Sequence, residues 1–237
     1  MNPINGADRW RSAAIQGFGV LAGILLAFAI DAGWDERGDR EREAVYLAAL
    51  VDELEVNTAI FERFAVYLRE EAEENTRGIV DVVSAEGQVT DTEINEMVYD
   101  VGPVRARVPE RAALIDLMTS GGIAYIREPS VRRMIAEYSQ ALDFYDEAMV
   151  TLDDLWDGSL YEYMEAHASL VDMLEGSGIP PYPDARSFAP DREAFVGNRQ
   201  FANLLVARGL RIRWASDSVA GLLESMASLR NALRPAV

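Results

Sequence analysis

From Ala13 to Ile30 the chain reads AAIQGFGVLAGILLAFAI, with Gln16 as its one polar side chain, and at Asp31 it turns abruptly charged. A run this long without a charge has few physical outlets: it crosses a bilayer, is removed as a signal peptide, or is buried as a core helix. Adding Ala32 and Gly33 brings it to about 20 residues, the length that a bilayer core requires. Trp10 and Trp34 flank it, and at about 1.5 Å per residue they sit roughly 36 Å apart, which suits the two headgroup interfaces. Ala27-Phe28-Ala29 has the small-x-small form of a cleavage site. Against cleavage, the run is long, its amino-terminal flank is weakly basic, and the charged pattern that follows reads as a continuation of the same helix.

The expected organisation is an amino-terminal flank over 1–12, a transmembrane anchor over 13–34 and an extramembrane α-helical domain over 35–237. Within the span Gly19, Gly23 and Ala27 recur every fourth residue, with Ala13 and Gly17 at the same spacing. They give one face smooth enough for close helix packing. Arg9 and Arg11 lie on one side of the span and Arg37, Arg40 and Arg42 on the other, so the basic count does not orient it. The expected sense is that of an uncleaved signal anchor in the bacterial inner membrane, single-pass, with the carboxy-terminal domain in the periplasm.

The net charge is −18, and residues 1–34 add nothing to it, since Asp8 and Asp31 balance Arg9 and Arg11. An extramembrane surface this acidic disfavours phosphate-backbone contacts, so nucleic acid is not an expected partner. Every basic residue is Arg, which reads as the codon bias of a GC-rich genome. The absence of Cys excludes disulfides, thiolate catalysis and Cys-ligated metals.

Beyond the anchor, spacings of three and four dominate. Leu47, Leu50, Leu54, Asn57, Phe61, Phe64 and Leu68 predict one long helix that continues from the anchor and frays near Asn75–Gly78. Asn57 falls on the apolar seam, where a polar residue fixes register or forms a core hydrogen bond. Ile79 to Val83 reads as a separate apolar piece, Glu93 to Asp100 as a short helix, and Val104 to Val108 as an extended segment. Pro109 suits the first turn of a helix ending at Ser120, with Gly121 and Gly122 behind it. Pro129 opens a helix through Trp156, which Gly158 breaks before another over Leu160 to Leu174. A proline-rich loop covers 175–191. Last, Phe201, Leu205, Arg208, Ile212, Ala215, Val219, Leu222, Met226, Leu229 and Leu233 keep the 4-3 rhythm for more than four heptads. The fold class is therefore all-α, an elongated bundle with coiled-coil-like packing, within one chain or with a second subunit.

Motifs for chemistry are scarce. The single His167 has Met164 where a di-iron pattern needs Glu, so no metal or other cofactor is expected. In DDLWDG, Asp153 to Gly158, Leu155 occupies a position that a calcium loop gives to an oxygen ligand. Glu70, Glu71, Glu73 and Glu74 form an acidic run that reads as a solvated helix end. Arg208, Arg211 and Arg213 beside Trp214 form a basic cluster, either a docking point for an acidic partner or lipid headgroup, or internal pairs with the surplus Asp and Glu. Tyr161, Tyr163, Tyr182 and Phe188 around the proline loop offer a contact surface or a cap on the bundle.

Residues Gly23-Ile24-Leu25-Leu26-Ala27-Phe28-Ala29-Ile30-Asp31-Ala32-Gly33-Trp34-Asp35-Glu36-Arg37 resemble the hallmark of a family of uncharacterised bacterial proteins with one amino-terminal membrane helix. Glu43, Tyr46, Leu47, Leu50, Glu53, Leu54 and Asn57 are similar to the stretch that follows in that family, and Leu117 to Ile123 is a weaker match. The family's more usual Asn-Asn before Trp is replaced here by Asp31-Ala32-Gly33. The resemblance implies the anchor-plus-helices layout and, the family having no assigned activity, no catalytic residue. The function expected is a non-enzymatic accessory or scaffold subunit of a membrane complex, with other membrane-protein subunits or a second copy as partners. The alternative is a ligand-binding sensor that signals through its anchor helix.

Overall fold

A computed structural model describes residues 6–84, 89–169, 171 and 189–234; within the first helix the side chains of 6–17, 19, 20, 22, 29 and 81–84 lie outside the description. The described residues are predominantly helical, with no strand among them. Helix α1, Gly6–Ser84, is unbroken over 79 residues, about 120 Å at 1.5 Å per residue. Its described side chains from Phe18 to Arg37 are all exposed, and the bundle begins beyond them.

The remaining helices are α2 (Asp91–Asp100), α3 (Ala112–Thr119), α4 (Pro129–Leu155), α5 (Tyr161–His167), α6 (Arg192–Phe195) and α7 (Arg199–Leu233). All seven seam residues of α1 from Leu47 to Leu68 are buried, as are all ten on α7 from Phe201 to Leu233. Each fully buried Leu or Phe contributes about 1.5–3 kcal/mol, so the seams, more than helix propensity, hold the bundle. Asn57 meets Tyr138 and, one turn on, Phe61 meets Tyr145, so α1 and α4 run parallel. Asn75 bonds the Leu205 carbonyl while Glu71 pairs with Arg208 three residues later, so α7 runs antiparallel to α1.

The chain between Val101 and Ser120 returns along α1 in the opposite direction. Its extended part, 102–111, has no sheet partner, and buried backbone groups must find donors and acceptors somewhere. Side chains of α1 and α4 supply them. The Asn57 amide donates to the Glu110 carbonyl (2.7 Å) and its oxygen accepts from the Glu110 N–H (2.8 Å). Tyr145 Oη accepts from Arg107 N–H (2.8 Å) and donates to the Arg107 carbonyl (2.7 Å). Glu53 Oε2 accepts from the Ala113 and Leu114 N–H groups (2.7 and 3.3 Å), capping α3, whose own N-cap residue Arg111 makes no side-chain cap. These contacts explain why α3 starts at Ala112 and not at Pro109: the extended backbone is committed to Asn57 through Glu110. Gly121, at φ +80°, turns the chain out of α3 into a short 3-10 turn, and an added Cβ at Gly122 would strike the Tyr46 ring at 2.8 Å.

Several expected boundaries move. Helix α1 does not fray at Asn75–Gly78, because Asn75 is buried and bonded and Gly78 lies against Leu205. Ile79 onward therefore continues α1 through Ser84. The helix after Gly158 ends at His167, where Ala168 is extended (φ −111°, ψ 164°); Val171 is helical again, and 172–174 lie outside the described residues. Gly158 itself is non-helical (φ −99°, ψ −111°) inside a π-helical turn, Trp156–Leu160. A second apolar cluster closes the end away from the exposed stem, where Ile94, Val98, Leu160, Tyr163, Met164, Phe195, Phe201 and Leu205 pack together. The Thr90–Glu93 capping box starts α2 there. The proline-rich loop lies outside the described residues over 175–188.

Among the described residues no helix is long and apolar enough to cross a membrane. The span expected over 13–34 falls on α1, and half of the side chains of 13–30 lie outside the described residues.

Candidate functional site

Two features interrupt the apolar bundle: a buried polar layer and an open groove. The layer follows from the heptads themselves. Seven residues after Leu68 the α1 seam reaches Asn75 by way of Glu71, and the facing α7 seam carries Arg208 between Leu205 and Ile212. Arg208 is 2% exposed. Its Nη2 meets Glu71 Oε2 at 2.6 Å and the Gly102 carbonyl at 3.1 Å, and its Nη1 donates to Asn75 Oδ1 at 3.3 Å. Asn75 in turn donates to the Leu205 carbonyl at 3.0 Å. It can approach that closely because residue 209 is glycine, where a Cβ would lie 2.7 Å from its Nδ2.

Burial, then the hydrogen bond to Glu71 and its charge, push the Tyr67 hydroxyl far up, so it remains a donor. Burial and the neighbouring Glu71 and Asp100 also raise Glu74. A buried, satisfied ion pair of this kind sets register more than it adds stability. It lies between the two apolar clusters and fixes how α7 slides on α1.

The basic cluster, read as a docking point or as internal ion pairs, is thereby divided, and Arg208 is the internally paired member. Arg208 faces inward, its guanidinium held by Glu71, Asn75 and Gly102. Arg211 donates to the Thr151 carbonyl on α4 (3.1 Å) and to Ala207 (3.2 Å). Arg213 is exposed, and Trp214 is 39% exposed. The four do not form one outward-facing surface, because the seam period turns Arg208 toward α1 while Arg213 and Trp214 point away.

Trp214 instead flanks the groove, a cavity of about 520 Å³ between α4 and α7. Phe144, half exposed, stands on the α4 side. Ala141, Gly221 and Leu222 line it, serines 218, 225 and 228 follow along α7, and Glu137, Asp217 and Glu224 bring carboxylates to it.

The other expected residues are placed as follows. Gly23 is open on all sides, Ala27 is exposed, and Trp34 is 73% exposed; the side chains of Trp10 and Gly19 lie outside the described residues. Tyr163 is buried and Tyr161 is 39% exposed, while Tyr182 and Phe188 lie outside the described residues. His167 Nδ1 is 3.3 Å from Asp191 Oδ2 and its ring is 4.7 Å from that of Tyr163. Among the described residues no three His, Cys, Asp or Glu side chains are grouped to hold a metal ion.

The reading of the sequence gave Glu53, Asn75, Tyr138 and Tyr145 no hydrogen-bonding role. Asn75 was visible as the next seam position; the others depend on where the extended segment returns. No protein-family model matches the chain, and no curated protein or solved structure does either.

Proposed function

We propose that this chain is a non-catalytic accessory or scaffold subunit, anchored in a bacterial membrane by one amino-terminal helix and binding neighbouring subunits through its helical domain. The reading rests chiefly on the exposed stem of α1. Phe18, Leu25, Phe28 and Trp34 are 74%, 60%, 67% and 73% exposed, and Leu21, Ile24, Leu26 and Ile30 are about half exposed or more. These positions go all the way round the helix. An apolar surface on every side belongs in the interior of a protein or a bilayer, and no described part of the bundle covers it. The resemblance to single-span bacterial proteins agrees with the same layout.

Rigidity supports the scaffold role. The stem enters the bundle without a helix break, and Arg127 braces the junction: its backbone N–H donates to Glu43 (2.8 Å) and its guanidinium to the Glu36 carbonyl (3.3 Å). The Arg42 guanidinium lies 5.2 Å from the centre of the Tyr125 ring. The bundle is thus held at a fixed attitude on the stem.

The test is alkaline extraction of native membranes, followed by mild-detergent purification through a carboxy-terminal tag. Retention in the membrane, with other membrane proteins at constant ratio, supports the reading. Release by alkali refutes the anchor, and a lone chain refutes the scaffold.

A further inference from the structure

Two glycines interrupt α7. Gly209 is explained within the chain, because a side chain there would collide with Asn75. Gly221 is not. A Cβ at Gly221 meets nothing within 4 Å, although glycine inside a helix is costly and any residue but proline would favour the helix more. The space above it is the α4/α7 groove.

Around Gly221 the helix carries a second 3-4 series beside its core seam: Trp214, Ser218, Gly221, Ser225 and Ser228. The core seam already packs on both α1 and α4; a second seam beside it can take one further helix, and among the described residues the groove above it is open. The seam extends over about 21 Å of α7, three to four turns of a partner helix, and its small residues admit a close approach.

Charge narrows the occupant. Asp217 and Glu224 are in no ion pair among the described residues, and Glu137 is matched only by exposed Arg133 one turn away (3.7 Å). With a net charge of −18, a second copy of this chain meets like charge here. Phe144 and Trp214 offer apolar anchors of the type that dominates binding energy at protein interfaces.

We infer that the α4/α7 groove seats one amphipathic helix of another protein, its apolar stripe over Gly221 and its Arg or Lys side chains toward Asp217, Glu224 and Glu137. The inference rests on the scaffold reading and names the chemistry of the partner.

A photo-crosslinking residue placed at exposed Gln140 in the full chain, irradiated in native membranes, tests it, with the same residue at Glu62 on α1 as the control. The expected adduct joins position 140 to a segment of a different protein with apolar residues at 3-4 spacing and basic flanks. Gly221→Leu puts an apolar side chain into the groove from a position where an added Cβ meets nothing within 4 Å, and should lower adduct yield by about tenfold; Asp217→Arg with Glu224→Arg should do the same. An adduct to this chain itself, to a segment without basic residues, or one unaffected by Gly221→Leu overturns the inference. So does the absence of any peptide adduct at 140. Partners that co-purify in fixed ratio but cross-link elsewhere sink the groove and leave the scaffold reading intact; no partner at all sinks both.

Discussion

Arg208→Leu removes the positive member of a buried ion pair and leaves its partner in place. Glu71 loses a contact at 2.6 Å, Asn75 Oδ1 loses its donor, and the Gly102 carbonyl loses one at 3.1 Å. Breaking a buried pair from one side costs about 3–5 kcal/mol. The Glu71 side chain retains 13% exposure and can recover some hydration, which places the cost near the lower end, about 3 kcal/mol. For a chain of this size that is a fall in Tm of roughly 10 °C. Replacing both partners, Arg208→Leu with Glu71→Leu, leaves no orphaned charge and should return stability to within about 1 kcal/mol of the parent. The cycle then gives a coupling of about 2 kcal/mol or more. Urea unfolding of the full chain in a non-ionic detergent, followed by far-ultraviolet circular dichroism, measures all four proteins. A loss below 1 kcal/mol for Arg208→Leu, or strictly additive losses in the double variant, would refute the buried-pair account.

The glycines of α7 should respond with opposite signs: Gly221→Ala stabilises by about 0.5–1 kcal/mol through helix propensity, whereas Gly209→Ala destabilises because the new methyl meets Asn75 at 2.7 Å. Paired thermal melts decide this, and equal signs would contradict the packing described. Asn57→Leu strips the Glu110 backbone and Tyr138 of their partners and should cost about 2–4 kcal/mol, with faster hydrogen exchange over 105–114. Burial raises Glu53 above the usual carboxylate range, partly offset by its bonds to Ala113 and Leu114. A carboxyl raised on folding favours the fold most when protonated, so this contribution is present below the unfolded value and is lost as pH rises through the folded one. Melts from pH 4 to 8 should show that decline, and Glu53→Gln should flatten it; an unchanged profile would exclude Glu53 as its source.

The long helices were legible in the residue order because helix periodicity is local. An apolar residue every three or four positions defines a stripe whatever lies opposite, and every seam residue read from Leu47 to Leu68 and from Phe201 to Leu233 is buried. Pro129, Gly121 and Gly158 marked their boundaries through backbone chemistry alone. The polar seam positions were equally visible, but not their meaning. Arg208 reads as part of a surface cluster with Arg211 and Arg213 until α1 is laid antiparallel to α7, which brings Glu71 and Asn75 to it. The extended segment 102–111 is similar: its alternation predicts strand-like backbone, and only the bundle shows that side chains, not a sheet, satisfy it.

The groove belongs wholly to the tertiary structure. The 3-4 series of Gly221 and three serines is local to α7, but no spacing in the sequence relates it to Phe144 on α4. They become one surface when α4 and α7 pack side by side. Sequence alone determined where the long helices lie and which stripe each of them buries, because those depend on neighbours three and four positions away. Which stripes face each other, which charges are thereby enclosed and which space is left open were decided by contacts between residues 60 to 140 positions apart, and no local pattern records them.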